Sequence, residues 1–131
     1  METPKVISQE GVFDPEVIDK KTGLLYCGQD ESFYEQVISE YLIESKEKKA
    51  SIDRCYNDKN WEGYGILVHS LKSTSKMIGA LGLSEIALRL EKAAKSGDTD
   101  AVERDHENMK KAYSDVTEMI SRCVRPQEQK F

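Results

Sequence analysis

The residues with the most chemical capacity lie in HSLKSTSKMIGA, positions 69–80, where a histidine stands beside two lysines and several hydroxyls. An imidazole with an ordinary pKa of about 6.5 is largely neutral at cellular pH, and its unprotonated ring nitrogen is then a nucleophile. Lys72 follows His69 by one helical turn, so its ammonium can stabilise negative charge acquired by the ring. At about 100° per residue, Leu67, Leu71, Thr74 and Ile78 fall opposite His69, with Tyr64 at the margin. These are the expected core stripe. Gly65, Ser73 and Lys76 share the side of His69, with Lys72 and the apolar Ile66 somewhat further round. Glycine and serine keep the surroundings of the ring low, which would let another protein's active site approach it. The combination points to a docking platform for phosphoryl chemistry.

Other chemistries find less support. Ser70, Ser73 and Ser75 sit on a continuous helical pattern without the strained elbow that a hydrolase nucleophile needs. Gly79 and Gly82 lack the G-K-[ST] ending of a nucleotide-phosphate loop. The carboxylates are dispersed along helix surfaces and form no coherent metal cluster. His106, the other histidine, falls between Val102 and Met109 on an apolar seam and reads as a packed structural residue. Cys27, Cys55 and Cys123 are odd in number and widely spaced, unlike a zinc site or a disulfide scaffold, and are assigned no chemistry. An accessible histidine without nucleotide or metal machinery can carry a group but cannot mobilise one alone.

The elements that must position these residues are helical. A chain of 131 residues fits one domain, and only three prolines and eight glycines leave room for long helices. FDPEVIDKKTG offers Asp14 as an N-cap, Pro15 at the first helical position and Gly23 as a stop, which predicts a short leading helix. Asp30 can cap a second helix along Phe33, Tyr34, Val37, Ile38, Tyr41 and Leu42 that runs on through Ile52, Cys55 and Tyr56, with a bend expected at ESKEKKAS. A third is predicted from Trp61 to Ile78, with Gly79 and Gly82 bracketing a break. A fourth carries Leu83, Ile86, Ala87, Leu90 and Ala94 as its stripe. A fifth runs from about Asp98 to Cys123 and is stopped by Arg125-Pro126. Four amphipathic helices with short turns predict an all-α, antiparallel up-down four-helix bundle with a short extra N-terminal helix.

The expected organisation is a polar linker over 1–10, a helical domain over 11–124 and a polar tail over 125–131, with the polar ends read as links to neighbouring domains. A net charge of −5 lacks the basic footprint of a nucleic-acid-binding domain. No apolar run approaches the roughly 20 residues of a membrane span, and the start lacks the apolar core of a signal peptide, so the expected compartment is the cytoplasm. A monomer is expected, because the helices can satisfy one another within one chain.

At these residues the sequence resembles the histidine-containing phosphotransfer (HPt) domain of multistep two-component phosphorelays. The family pattern is H-x-L-K-G, four variable residues, an aliphatic, G-A, then spaced leucines ending in L-E or L-Q. His69, Leu71, Lys72, Ile78, Gly79, Ala80, Leu83, Leu90 and Glu91 occupy matching positions, and Ser73 departs where the family most often has glycine. The likeness extends over about residues 11–122. It implies that His69 accepts a phosphoryl group from the aspartyl phosphate of a response-regulator receiver domain and passes it to another receiver aspartate, without autonomous kinase or hydrolase activity. It further implies that Lys72 stabilises the phosphoryl charge and that Glu91 orients the imidazole through its other nitrogen. The chain would need no cofactor of its own, the Mg²⁺ belonging to the receiver. Gly65, Ile66, Ser73 and Lys76 are the expected docking patch, and a hybrid histidine kinase in cis is a further expected partner. Two other readings are a non-phosphorylated helical adaptor using the same face and, ranked last, a dimeric kinase bundle, for which the H-E-x-x-T-P type of motif and an ATP-binding domain are missing.

Overall fold

The computed structural model describes residues 13–123, and all regular structure among them is helical. The expected linker over 1–10, the Arg125-Pro126 stop and the tail over 125–131 lie outside the described residues. The five helices are α1 (Lys20–Tyr26), α2 (Glu31–Asn57), α3 (Trp61–Ile78), α4 (Leu81–Ser96) and α5 (Thr99–Cys123).

Short polar side chains start most of them, because the first backbone N–H groups of a helix have no partner within it. Asp30 accepts from Phe33 N at 3.1 Å, Asn60 from Gly63 N at 3.1 Å and Asp98 from Ala101 N at 3.1 Å. The leading helix differs from expectation. Asp14 caps only a turn, accepting from Glu16 N at 3.0 Å, and the helix begins five residues later, after Asp19, whose carboxylate accepts the Thr22 hydroxyl at 2.9 Å. Gly23 is therefore inside α1 rather than its stop. It is glycine because the backbone passes the Ile78 carbonyl and the Tyr34 ring so closely that a Cβ would stand 2.5 Å from each.

The lysine-rich ESKEKKAS segment, expected to bend α2, is part of one continuous 27-residue helix. Its apolar seam thins between Ser45 and Ile52, and two neighbouring lysines bridge the gap. Lys48 donates to Ser70 on α3 at 2.8 Å and Lys49 to Thr117 on α5 at 2.9 Å. Long aliphatic stems let both cover apolar surface while their ammonium groups reach hydroxyls.

Between α3 and α4 only two residues turn the chain. Gly79 adopts a left-handed φ of 91°, and Ala80 N closes back on the Ser75 carbonyl at 2.8 Å, the geometry that satisfies orphan carbonyls at a helix end. Gly82, expected to share this break, lies within the first turn of α4. Asp19 N donates to Gly79 O at 2.8 Å, so the turn also anchors the entry to α1.

The core runs the length of the helices and contains Tyr34, Val68, Leu71, Ile78, Leu90, Met109 and Ile120, each essentially inaccessible. Buried tyrosines bring hydroxyls that need partners. Tyr34 donates to the Ile78 carbonyl at 2.8 Å, and Tyr41 meets Ser75 Oγ at 2.8 Å. His106 is 1% exposed, stacks on Tyr56 with ring centroids 3.7 Å apart, and lies 2.8 Å from Tyr64 Oη through Nδ1 and 3.3 Å from Asp53 through Nε2. Burial lowers its pKa more than Asp53 raises it.

Two predictions follow from this packing. A Cβ on Gly79 would collide with the Asp19 carbonyl in a backbone conformation that L-residues avoid. Gly79→Ala should therefore cost about 2 kcal/mol or more in urea unfolding. Gly82→Ala, which meets nothing within 4 Å, should be neutral or stabilise by up to about 1 kcal/mol. For His106 the folded-state pKa lies below the unfolded value of about 6.5. Its neutral form thus favours the fold above that pH, and the contribution is lost as pH falls below it. The urea midpoint should drop between pH 7 and pH 5, and the slope should be shallower in His106→Gln.

Candidate functional site

His69 and Lys72 stand one turn apart on α3, facing α4. The seam between these helices is lined by small residues. A Cβ on Gly65 would sit 3.8 Å from that of Ala94, Ala87 is fully buried, and Ser84 Oγ donates to the Lys72 carbonyl at 2.9 Å. Close approach of the two backbones brings a side chain of α4 within reach of α3. That side chain is Glu91.

The Glu91 side chain is only 6% exposed, and its carboxylate is surrounded by donors. His69 Nδ1 lies 2.6 Å from Oε2, Lys72 Nζ donates to Oε1 at 2.8 Å, and Lys95, one turn along α4, places Nζ 3.3 Å from Oε2. A buried carboxylate without partners would be driven towards its protonated form. Here the Lys72 hydrogen bond, helped by those from His69 and Lys95, outweighs desolvation and holds the carboxyl down at about 2. An ionised carboxylate only accepts, so the hydrogen on this bond belongs to Nδ1 of His69. In the neutral ring the lone pair is then on Nε2. The ring side chain is 58% exposed, whereas Lys72 is 26% exposed.

Two grooves flank the ring. One is lined by Trp61, Glu62, Gly65, Ile66, Ala94 and Lys95, the other by Lys72, Ser73, Lys76, Leu81, Ser84 and Leu88. Ile66 is 66% exposed at the edge of the first. Ser73 is exposed, and its hydroxyl donates back to the His69 carbonyl at 3.3 Å, so it takes up little room beside the ring. Lys76 is exposed, with its ammonium 5.8 Å from the centre of the Tyr26 ring.

Several expectations need correction. Gly65 is buried and forms the floor of a groove, because α4 packs directly on it. The buried arc of α3 is Tyr64, Val68, Leu71, Ser75 and Ile78, turned towards α4 from the expected one, so Leu67 and Thr74 are only half-buried. Lys72, expected to serve charge on the ring, is in this structure the partner of a buried carboxylate. Sequence reasoning did not single out Lys95, although its spacing of four from Glu91 is a signal for a helical ion pair. Among the described residues no group of three or more His, Cys, Asp or Glu is placed to hold a metal ion, and no helix is long and apolar enough to cross a membrane.

A family model described as the Hpt domain matches residues 36–122, a stretch that holds His69, Lys72, Glu91 and Lys95. No curated protein and no solved structure matches significantly.

The depressed Glu91 pKa has a consequence in acid. The folded carboxyl titrates at about 2, below the roughly 4.3 of an unfolded glutamate. Its contribution is present above the unfolded value and is lost as pH falls through the folded one. Urea titrations between about pH 5 and pH 2 should show a loss that flattens in Glu91→Gln, a component on the order of 3 kcal/mol.

Proposed function

The chain belongs to the Hpt domain family, and on that premise we propose that it is a phosphohistidine carrier in which Nε2 of His69 accepts a phosphoryl group from a receiver-domain aspartyl phosphate and hands it to another receiver aspartate. The observation that carries this reading is the bond between His69 Nδ1 and the buried Glu91 carboxylate at 2.6 Å on an otherwise exposed ring. It supports a fixed tautomer whose nucleophilic nitrogen is available to a partner. The chain supplies the nucleophile. The receiver supplies the acidic pocket and its Mg²⁺.

In the forward step the Nε2 lone pair attacks phosphorus, the P–O bond to the receiver carboxylate breaks, and the carboxylate leaves as an anion. In the reverse sense an incoming carboxylate oxygen attacks phosphorus and the P–Nε2 bond breaks. Lys72, one turn from the ring, is the cation placed to stabilise the transferring charge. The exposed Ile66, the small Ser73 and Lys76 form the docking rim, with Gly65 beneath it.

The scaffold for this role is an up-down antiparallel bundle of α2 to α5 within residues 11–124. Its support is the pairing of Tyr34 with Ile78, Tyr41 with Ser75 and Lys48 with Ser70, in which residue numbers fall on α3 as they rise on α2. We place the carrier in the cytoplasm, as a monomer, with the hybrid kinase in cis as an upstream partner.

Incubation with a phosphorylated receiver domain should label the wild type and not His69→Gln, and the label should be acid-labile and stable in base. Equal labelling of both proteins would overturn the proposal. Lys72→Ala should slow transfer roughly tenfold or more, the worth of one hydrogen bond to a charged group, measured by single-turnover kinetics.

A further inference from the structure

The partners of Glu91 bear on the phosphorylated state as well as on the resting one. Resting on the carrier reading, we infer that the Glu91 carboxylate keeps the Nδ1 proton on the phosphorylated His69 ring, so that the P–Nε2 bond breaks onto a neutral imidazole and the phosphoryl group is held in a labile, readily transferred form.

The argument is one of charge and leaving groups. When the Nε2 lone pair bonds to phosphorus, a ring already protonated at Nδ1 becomes an N-phosphoimidazolium cation. If Nδ1 then lost its proton, cleavage of the P–N bond would have to expel an imidazolate anion, a poor leaving group. If Nδ1 keeps it, the bonding pair returns to Nε2 and neutral imidazole leaves, with no proton to be delivered during the step. An anionic acceptor 2.6 Å from Nδ1 favours the second course. A neutral amide in its place would accept the same hydrogen bond without the opposite charge.

The surrounding charges fit that assignment. Glu91 and Lys95 face the ring from α4, and Lys72 and Glu62 from α3, while from α2 Lys48 reaches Ser70 on the neighbouring flank. Lys72 and Lys95 balance the Glu91 and Glu62 carboxylates, so these side chains together carry no net charge. The protonated ring then supplies the positive charge that faces a phosphoryl group of about −2. Lys95 also weakens the pull of Glu91 on the ring, since both compete for Oε2. The two residues therefore act in opposite directions on one proton. Glu91 is a positioning residue of unusual kind, acting on the ring's charge as well as its angle.

The test is the pH dependence of phosphohistidine decay in the full chain, labelled chemically with phosphoramidate so that no receiver is involved. Decay is followed by the loss of the phosphorus resonance, and the ring nitrogen shifts report the Nδ1 proton. Relative to the wild type, Glu91→Gln should move the midpoint of the decay profile down by about one pH unit and lengthen the half-life above it up to about tenfold. Lys95→Gln should move the midpoint up. In urea all three proteins should decay alike, which separates the effect of the folded site from that of the chain. Coincident profiles of folded wild type and Glu91→Gln, both labelled at His69, would overturn this inference and leave the carrier reading standing. Failure of the folded wild type to label at His69 would overturn both.

Discussion

The site depends on one buried carboxylate. Taking an ion out of water costs several kcal/mol even after relaxation, and the cost is offset only where good geometry satisfies its lone pairs. Glu91 meets that condition through three donors from two helices. The requirement propagates outward. The donors can converge only if α3 and α4 lie close, and the seam between them carries the small residues Gly65, Ala87 and Ala94 and ends in a two-residue turn. A local ion-pair cluster thus goes together with small side chains along the helix pair that carries it.

The same turn ties the site to the far end of the molecule. Gly79 closes α3, accepts from Asp19 N and leaves no space for a side chain beside the Asp19 carbonyl. Asp19 in turn caps α1, and Gly23 lets that helix lie against the Ile78 carbonyl where Tyr34 of α2 also donates. Three helices thus meet at one tight turn, so the position of His69 along α3 is referenced to a rigid end.

Much of this was legible in the sequence. The bounds of α3, the outward direction of His69 and the start of α2 at Asp30 follow from periodicity and capping residues, which are local signals. What was not legible depends on neighbours. Periodicity says that α3 has a buried face but not which helix lies closest, so the arc was placed towards Leu67 and Thr74 when α4 draws it to Val68 and Ser75. Two aspartates compete to start α1, and the choice of Asp19 over Asp14 is made by the tertiary bond to Gly79. Lys95 was overlooked because a lysine on a helix surface is usually only solvated. Its partner had first to be known as buried.

Lys48 and Lys49 carry a different consequence. They are adjacent on α2, so they point about 100° apart, one to a serine of α3 and the other to a threonine of α5. An apolar seam resists rotation of a helix through the interlock of its side chains, and along α2 that interlock is thinnest here. A pair of charged prongs adds a directional constraint, since a one-residue slip of α2 carries both ammonium groups away from their hydroxyls. In the stretch where α2 has least hydrophobic grip, polar contacts to two different helices help to key its rotational setting.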